Sequence, residues 1–105
     1  MYLVKGKITR PNTECSFYTI ADVAVTDNIR QHWQTAYKDT GKCLFIEVVV
    51  SEDQLQMDTS QYWEDQASYE SYKNDPVLIA ELFAVRDAYW SAHGMTGIVI
   101  SEENI

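Results

Sequence analysis

The fold is decided by residues 43–63, which have the sequence CLFIEVVVSEDQLQMDTSQYW. Side chains from Cys43 to Ser51 are apolar on both faces of a strand apart from Glu47, which predicts a strand with protein packed above and below it. A turn follows at residues 51–53. From Leu55 to Trp63 the side chains alternate between two faces with a period of two residues. The stretch therefore predicts a hairpin of two strands.

An amphipathic helix precedes this hairpin. From Thr26 onward, four apolar residues recur at helical spacing and share one face: Ile29, Trp33, Ala36 and Tyr37. Thr26 or Asp27 can cap the first amides, and Gly41 stands where a left-handed residue would end the helix. Earlier in the chain, Tyr2–Thr9 predicts a first strand that stops at residues 10–12. The stretch from Thr13 to Val25 is compatible with an irregular crossover or with a short extra helix.

Two further helices and a last strand are predicted after the hairpin. Residues 65–73 favour a short helix, and Asp75-Pro76 is a strong start signal for a longer helix over residues 76–93. Gly94 would end that helix, and Met95–Ser101 would form the last strand. The order βαββαβ predicts one α+β domain of ferredoxin-like type over residues 1–105, with a four-stranded antiparallel sheet and its helices on one face.

Such a sheet leaves its second face uncovered. The strand from Cys43 to Ser51 is apolar on that face too, so helices on one side alone cannot bury it. A second copy of the same sheet would cover the face, because two apolar sheet faces pack well against each other. The sequence therefore predicts a homodimer.

Composition excludes several classes of partner. Sixteen acidic and eight basic side chains give a net charge of −8, which repels nucleic acids and anionic membranes. The longest apolar runs are far shorter than a bilayer span, and Lys5, Lys7 and Arg10 interrupt the start where a signal peptide would be apolar. We therefore expect a cytoplasmic protein with no nucleic-acid or membrane partner.

No metal or cofactor is expected. Cys15 and Cys43 lack the spacing of a zinc site, so we interpret them as ordinary thiols. His32 and His93 are not spaced as paired metal ligands. The sequence also contains no phosphate-binding glycine loop and no dinucleotide-binding fingerprint.

Three segments together resemble a known family. After Gly41 come residues 44–48 (LFIEV), then residues 62–69 (YWEDQASY), then residues 74–76 (NDP). This pattern is similar to that of the antibiotic-biosynthesis-monooxygenase superfamily. The resemblance is good over residues 41–100 and holds only in outline over residues 1–40. The resemblance implies a dimeric α/β barrel, in which two sheets close an eight-stranded barrel and each subunit has a ligand cleft between its helices and its sheet.

The resemblance also bears on chemistry. In members that oxidise aromatic polyketides or quinols without a cofactor, a Trp at the end of strand three and a Tyr six residues later help to form the cleft, and Trp63 and Tyr69 match them. Some of these enzymes have an Asn four residues before the Trp, where this chain has Thr59. In the haem-degrading branch, a Trp and an iron-binding His stand where this chain has Tyr72 and Leu82, so haem degradation is not expected.

Five residues are predicted to meet in the cleft and bind a ligand: Trp63, Tyr69, Tyr72, Phe83 and Arg86. Core packing is the alternative role for the aromatic residues. Arg86 lies in an apolar helical stripe, so its guanidinium needs a ligand acid, solvent or an internal carboxylate partner. The internal candidates are Glu47, Glu81 and Asp87.

The predicted function is that of a dimeric small-molecule-binding protein. Its cleft would accept an apolar or amphipathic ligand, aromatic or fatty-acid-like. Cofactor-independent monooxygenase activity is one form that this function could take. The alternative is a structural or regulatory homodimer that has neither ligand nor catalysis.

Overall fold

The computed structural model describes residues 1–17 and 26–105 of the chain. Its sheet has four strands, β1 (Tyr2–Thr9), β2 (Cys43–Val50), β3 (Gln56–Trp63) and β4 (Thr96–Asn104). The strands are antiparallel and lie in the order β2-β3-β1-β4. This is the predicted ferredoxin-like α+β sheet. The last strand extends three residues beyond its predicted end at Ser101, because it stays paired with β1 as far as Asn104.

Within residues 1–17 and 26–105, three helices connect these strands. Helix α1 (Asp27–Trp33) continues directly into a π-helical segment, Gln34–Lys38. Helix α2 spans Gln66–Lys73. The last helix, which we call α3, has three consecutive parts, the α-helical Pro76–Leu78, the π-helical Ile79–Phe83 and the α-helical Ala84–Ala92. None of the helices in the described parts of the chain is both long and apolar enough to cross a bilayer.

Polar side chains and glycines fix the helix ends, as predicted at Thr26, Asp75, Gly41 and Gly94. The side chains of Thr26, Asp65 and Asp75 accept hydrogen bonds from the first amides of α1, α2 and α3. Gly41 and Gly94 follow α1 and α3 with φ values of 75° and 67°, which only glycine adopts without strain. The undecided stretch 13–25 is described only in part: residues 13–17 form neither helix nor strand, and residues 18–25 lie outside the described residues.

Two apolar clusters hold the helices on one face of the sheet. The larger one surrounds Trp63, Ile29 and Leu78, whose side chains are almost fully buried. The smaller one lies at the other end of the sheet and contains Met57 and Met95. The helix-facing side of the sheet is left uncovered between these clusters, and this gap positions the candidate site.

The opposite face of the sheet, which we call the outer face, carries exposed apolar side chains on its edge strands, whereas its centre is polar at Lys5, Lys7, Asp58 and Ser60. Phe45 of β2 stacks on Tyr62 of β3 there, with 4.2 Å between ring centroids. Val49 alternates with the helix-facing Val48 and is 65% exposed, and Ile98 of β4 is also exposed. Apolar residues collected on one exposed face are typical of an interaction surface.

Candidate ligand cleft

A half-open cleft of about 960 Å³ lies between the helices and the sheet. Its floor includes one row of paired residues, with one residue from each strand: Val48, Thr59, Gly6 and Val99. Gly6 adds no side chain to this floor, and a Cβ there would lie only 2.8 Å from Thr59 Oγ1. Val48 and Val99 face the helices but remain exposed, since no helix covers them.

The walls of the cleft are aromatic. Trp33 of α1, Tyr69 and Tyr72 of α2, and Phe83 and Trp90 of α3 line it. Tyr72 meets the ring of Trp33 edge to face at a centroid distance of 5.5 Å, and that of Phe83 at 5.3 Å. Rings that pack edge to face restrict one another, so the walls are apolar and have a defined shape.

Trp90 is held in place on two sides. Its Nε1 donates a hydrogen bond to the carbonyl oxygen of Phe17 at 2.9 Å. Its ring lies against Gly97 of β4 so closely that a Cβ on that glycine would be 2.2 Å from the indole Cζ3. The absence of a side chain at Gly97 therefore allows the indole to lie flat at the sheet end of the cleft.

Arg86 brings a positive charge into this apolar site. Its guanidinium carbon lies 4.6 Å from the ring centroid of Trp90 and 4.9 Å from that of Phe83, distances that allow cation–π contacts. Arg86 Nε and Nη2 donate to Asp87 Oδ1, both at 3.2 Å, so one of the internal partners proposed from the sequence is present. The Arg86 side chain lines the cleft and is 28% exposed.

Trp63 lies behind the cleft wall. Its side chain is 0% exposed and does not line the cleft. It packs against Tyr72 with 4.9 Å between ring centroids, and its Nε1 donates to Gln61 Oε1 at 3.3 Å. Gln61 does line the cleft, as do Tyr72, Tyr69 and Trp33, so Trp63 would influence a ligand through these neighbours.

The five predicted site residues thus separate into two groups. Tyr69, Tyr72, Phe83 and Arg86 meet in the cleft, whereas Trp63 supports it from the core. Their role in ligand binding stays a prediction. The lining residues that were not among the candidates include Trp33, Gln61 and Trp90. The position of Trp90 in the cleft could have been predicted from the sequence, because it lies one helical turn after Arg86 on the same face.

Three titratable side chains of the cleft, those of Cys43, Tyr69 and Tyr72, favour their protonated forms. Burial raises the pKa of the Cys43 thiol to about 11. Burial also raises the pKa values of Tyr69 and Tyr72 to about 12, although the nearby Arg86 opposes both shifts. At neutral pH these groups are therefore hydrogen-bond donors and cannot act as bases.

The fold is similar to that of a solved structure of the antibiotic-biosynthesis-monooxygenase type. The chain is similar over its full length to a candidate antibiotic biosynthesis monooxygenase from Deinococcus radiodurans, with a TM-score of 0.57, 13% identity and 92% of that chain covered. A solved structure from Mycobacterium tuberculosis matches with a TM-score of 0.44, 9% identity and 98% of its chain covered. No family model and no curated protein matches the sequence.

The comparison with the Deinococcus radiodurans structure bears on the fold alone, because the identity is low. It confirms the resemblance that was identified from residues 41–100. The chemistry of this chain must be argued from its own side chains.

Proposed function

We propose that this protein binds a small apolar or amphipathic molecule in the cleft between its helices and its sheet. The observation that supports this most is Arg86, which is held against the rings of Phe83 and Trp90 inside a cleft of about 960 Å³. Apolar walls with a few convergent polar groups are typical of small-molecule sites. A guanidinium has five N–H donors, and Asp87 occupies only Nε and Nη2, so donors remain for a ligand carboxylate or phenolate.

Binding is better supported than oxidation. The Deinococcus radiodurans relative is described as a candidate monooxygenase, and a cofactor-independent enzyme of that kind needs a base to take a proton from its substrate. The raised pKa values keep Cys43, Tyr69 and Tyr72 protonated, so these side chains do not meet that need. The floor also carries Thr59 where some such enzymes carry an Asn. We therefore propose a binding protein rather than a monooxygenase.

We also propose that the protein acts as a homodimer. The exposed apolar side chains of Phe45, Val49 and Ile98 on the outer face would be covered by the same face of a second copy. A stable dimer of this kind is expected to bury about 2,000 Å² or more in total.

A structural or regulatory homodimer with no ligand is the second candidate function. It is supported by the edge-to-face contacts of Trp33 with Trp63 and Tyr72, which are also found in ordinary cores. The two functions differ in one respect that can be measured. Only a binding protein would lose an activity when the cleft is filled.

The test is to fill the cleft and measure binding of an uncharged probe, phenyl-naphthylamine, by its fluorescence. Val99→Trp places a large side chain on the cleft floor, whereas Val85→Trp adds the same side chain at an exposed helical position outside the cleft. We expect the parent and Val85→Trp to bind the probe with similar affinity and Val99→Trp to lose binding. Equal binding by all three proteins would contradict a cleft site.

Native mass spectrometry of the purified parent protein gives an independent result. A molecule that copurifies in the cleft would add mass, and the added mass should be absent from Val99→Trp but present in Val85→Trp. If the parent carries no added mass and binds no probe, the ligand-free structural function is favoured.

A further inference from the structure

The outer face carries charged side chains at its centre. Lys5 and Lys7 lie on β1, Glu47 on β2 and Asp58 on β3. Within residues 1–17 and 26–105, none of these four lies within ion-pair distance of an opposite charge. Lys7 and Asp58 are paired neighbours in the sheet, but the Asp58 carboxylate accepts a hydrogen bond from the Gln56 amide at 3.0 Å instead. The four charges are therefore available to a partner that covers this face.

The charges lie in two rows of paired residues that cross all four strands. The first row consists of Val49 of β2, Asp58 of β3, Lys7 of β1 and Ile98 of β4. The second row consists of Glu47, Ser60, Lys5 and Ser101, in the same strand order. In both rows the acidic side chains lie on β2 or β3, whereas the basic side chains lie on β1. The two halves of the face thus differ in charge.

A second copy that covers this face must pair these charges, because a charge that is buried without a partner is costly. Two sheets that pack face to face lie about 10 Å apart, so a lysine can reach a carboxylate on the facing sheet. Which side chains face each other depends on the direction of the two-fold axis that relates the copies. The charge pattern therefore distinguishes between the possible directions.

An axis that runs across the strands places each strand opposite itself. Strand β1 would then face its own copy, so Lys5 and Lys7 would lie opposite the same two lysines of the second copy. Like charges that face each other in an interface repel. This direction of the axis is therefore disfavoured.

An axis that runs along the strands, between β1 and β3, reverses the strand order of the second copy. Strand β1 then lies opposite β3, and β2 lies opposite β4. In the first row, Lys7 faces Asp58 of the second copy. Val49, which is 65% exposed, faces Ile98 of the second copy, which is 59% exposed. Opposite charges and apolar side chains therefore meet in the same arrangement.

The remaining charges fit this direction of the axis. Lys5 faces Ser60 of the second copy, and Glu47 of the second copy lies one strand spacing, about 4.8 Å, to the side. Within one chain Lys5 and Glu47 are separated by β3, so they lie about twice as far apart. Glu103 is exposed in the end row of the edge strand β4, beside Leu3, where solvent reaches it.

We infer that two copies of this chain face each other about a two-fold axis along the strands, so that Lys7 of each copy pairs with Asp58 of the other. This inference rests on the proposed homodimer and specifies how its two subunits recognise each other. The interface has apolar contacts on its edge strands and ion pairs at its centre.

Charge exchange tests the contact between Lys7 and Asp58 of the second copy. We expect Lys7→Glu and Asp58→Lys each to weaken the dimer by about tenfold or more, because each homodimer then has two pairs of like charges at these positions. An equimolar mixture of the two variants should recover dimers, because both pairs in a mixed dimer again have opposite charges. Sedimentation measures each protein alone and the mixture. Glu81→Lys, at an exposed position of α3, is the control and should sediment like the parent.

The mixture also distinguishes this contact from one within a single chain. If Lys7 and Asp58 interacted only inside each subunit, the mixture would sediment like the single variants, because neither chain regains its own pair. That result would contradict the inference. Dimerisation of Lys7→Glu alone, as tight as that of the parent, would also contradict it.

Crosslinking tests the direction of the axis independently of charge. A short bismaleimide should join Val49→Cys to Ile98→Cys when the two variants are mixed, and should join neither variant to itself. The parent is the control, because Cys15 and Cys43 are buried. Efficient crosslinking of Val49→Cys to itself would contradict the axis along the strands, because β2 would then face β2.

The outcomes separate the two proposals. If the parent sediments as a monomer, the proposed homodimer fails and this inference fails with it. If the parent is a dimer but the mixture of Lys7→Glu and Asp58→Lys stays monomeric, or Val49→Cys crosslinks to itself, the axis is contradicted and the homodimer stands.

Discussion

The carboxylate of Asp75 joins helices α1 and α3. Its Oδ1 accepts hydrogen bonds from the amides of Val77 at 2.9 Å and Leu78 at 3.4 Å, which caps α3. Its Oδ2 accepts from the hydroxyl of Tyr37 and lies 2.7 Å from His32 Nε2. An ionised carboxylate can only accept hydrogen bonds, so the His32 nitrogen that faces it carries the proton. This single side chain, 11% exposed, therefore satisfies donors from two helices.

Replacement of Asp75 should destabilise the protein more than loss of a cap alone. We expect Asp75→Ala to lower the free energy of unfolding by about 2–3 kcal/mol, because the cap is lost and buried donors are left without their acceptor. Asp65→Ala is the matched control, since Asp65 caps α2 through Ser68. Urea unfolding measures both variants. Equal losses for the two would show that the bonds to Tyr37 and His32 contribute little.

The same carboxylate makes stability depend on pH. Burial alone would raise the pKa of Asp75, but the hydrogen bonds from Tyr37, His32 and the two amides outweigh it and lower the pKa below 3.8. A lowered pKa means that the stabilisation is complete above the unfolded-state pKa and is lost as the pH falls through the folded-state value. The parent should therefore lose stability below about pH 4 more steeply than Asp75→Asn. If the stability of the parent and of Asp75→Asn fell equally steeply with pH, this prediction would be contradicted.

At the scale of single residues, the sequence predicts contacts between residues that are close together in the chain. It misses contacts between residues that are far apart in the chain. The cap at Asp75 follows from its position before Pro76. The bonds from His32 and Tyr37 come from residues 43 and 38 positions away, which no local pattern can indicate. The burial of Trp63 behind the cleft wall was not predicted, for a related reason. Alternation assigns it to the helix-facing side of β3, but whether a helix covers it depends on tertiary packing.

Contact between α3 and β4 depends on a pair of residues, Trp90 and Gly97. A Cβ at residue 97 would lie 2.2 Å from the indole, which the hydrogen bond to Phe17 holds in place. We expect Gly97→Ala to destabilise the protein by about 1–3 kcal/mol through overpacking. Trp90→Leu removes the obstructing ring atoms, so Gly97→Ala should cost less in that background. Thermal or urea unfolding of the two single variants and the double variant measures this coupling, and additive effects would contradict it.

Helix positions were predictable, but helix geometry was not. The helix ends that were predicted for α1, α2 and α3 lie close to the observed ends, because capping residues and glycines mark them in the sequence. The π-helical segments Gln34–Lys38 and Ile79–Phe83 were not predicted. Tertiary packing can override local preference, and no local pattern in either segment indicated a π-helical turn. The π-helical turn in α3 lies between the buried Leu78 and the cleft residues Arg86 and Trp90, so it affects which side chains face the site.

In the parts of the chain that the structure describes, apolar side chains are uncovered in the cleft and on the outer face. The apolar character of β2 on both faces indicated that something besides the helices covers it. The resemblance implied a cleft, but its exposed floor could not be predicted from the residue pattern, because Val48 and Val99 are apolar like core residues. Their exposure arises from the separation of the two apolar clusters, which is a property of the assembled fold.

Sedimentation at micromolar concentration tests the proposed dimer. We expect a species of about twice the chain mass of 12.1 kDa. Val49→Lys places a charge on the outer face and should dissociate this species, whereas Val85→Lys, on an exposed helical position, should not. A parent protein that sediments as a monomer would contradict the barrel.

The position of a bound probe tests the ligand cleft most directly. Isotope-filtered nuclear Overhauser spectra would measure contacts between bound phenyl-naphthylamine and the valine methyl groups of the labelled protein. Val48 and Val99 line the cleft, whereas Val49 and Val85 do not, and all four are exposed. We expect contacts to the methyl groups of Val48 and Val99 and none to those of Val49 and Val85. Contacts to Val49 or Val85 without contacts to Val48 and Val99 would contradict a ligand site between the helices and the sheet.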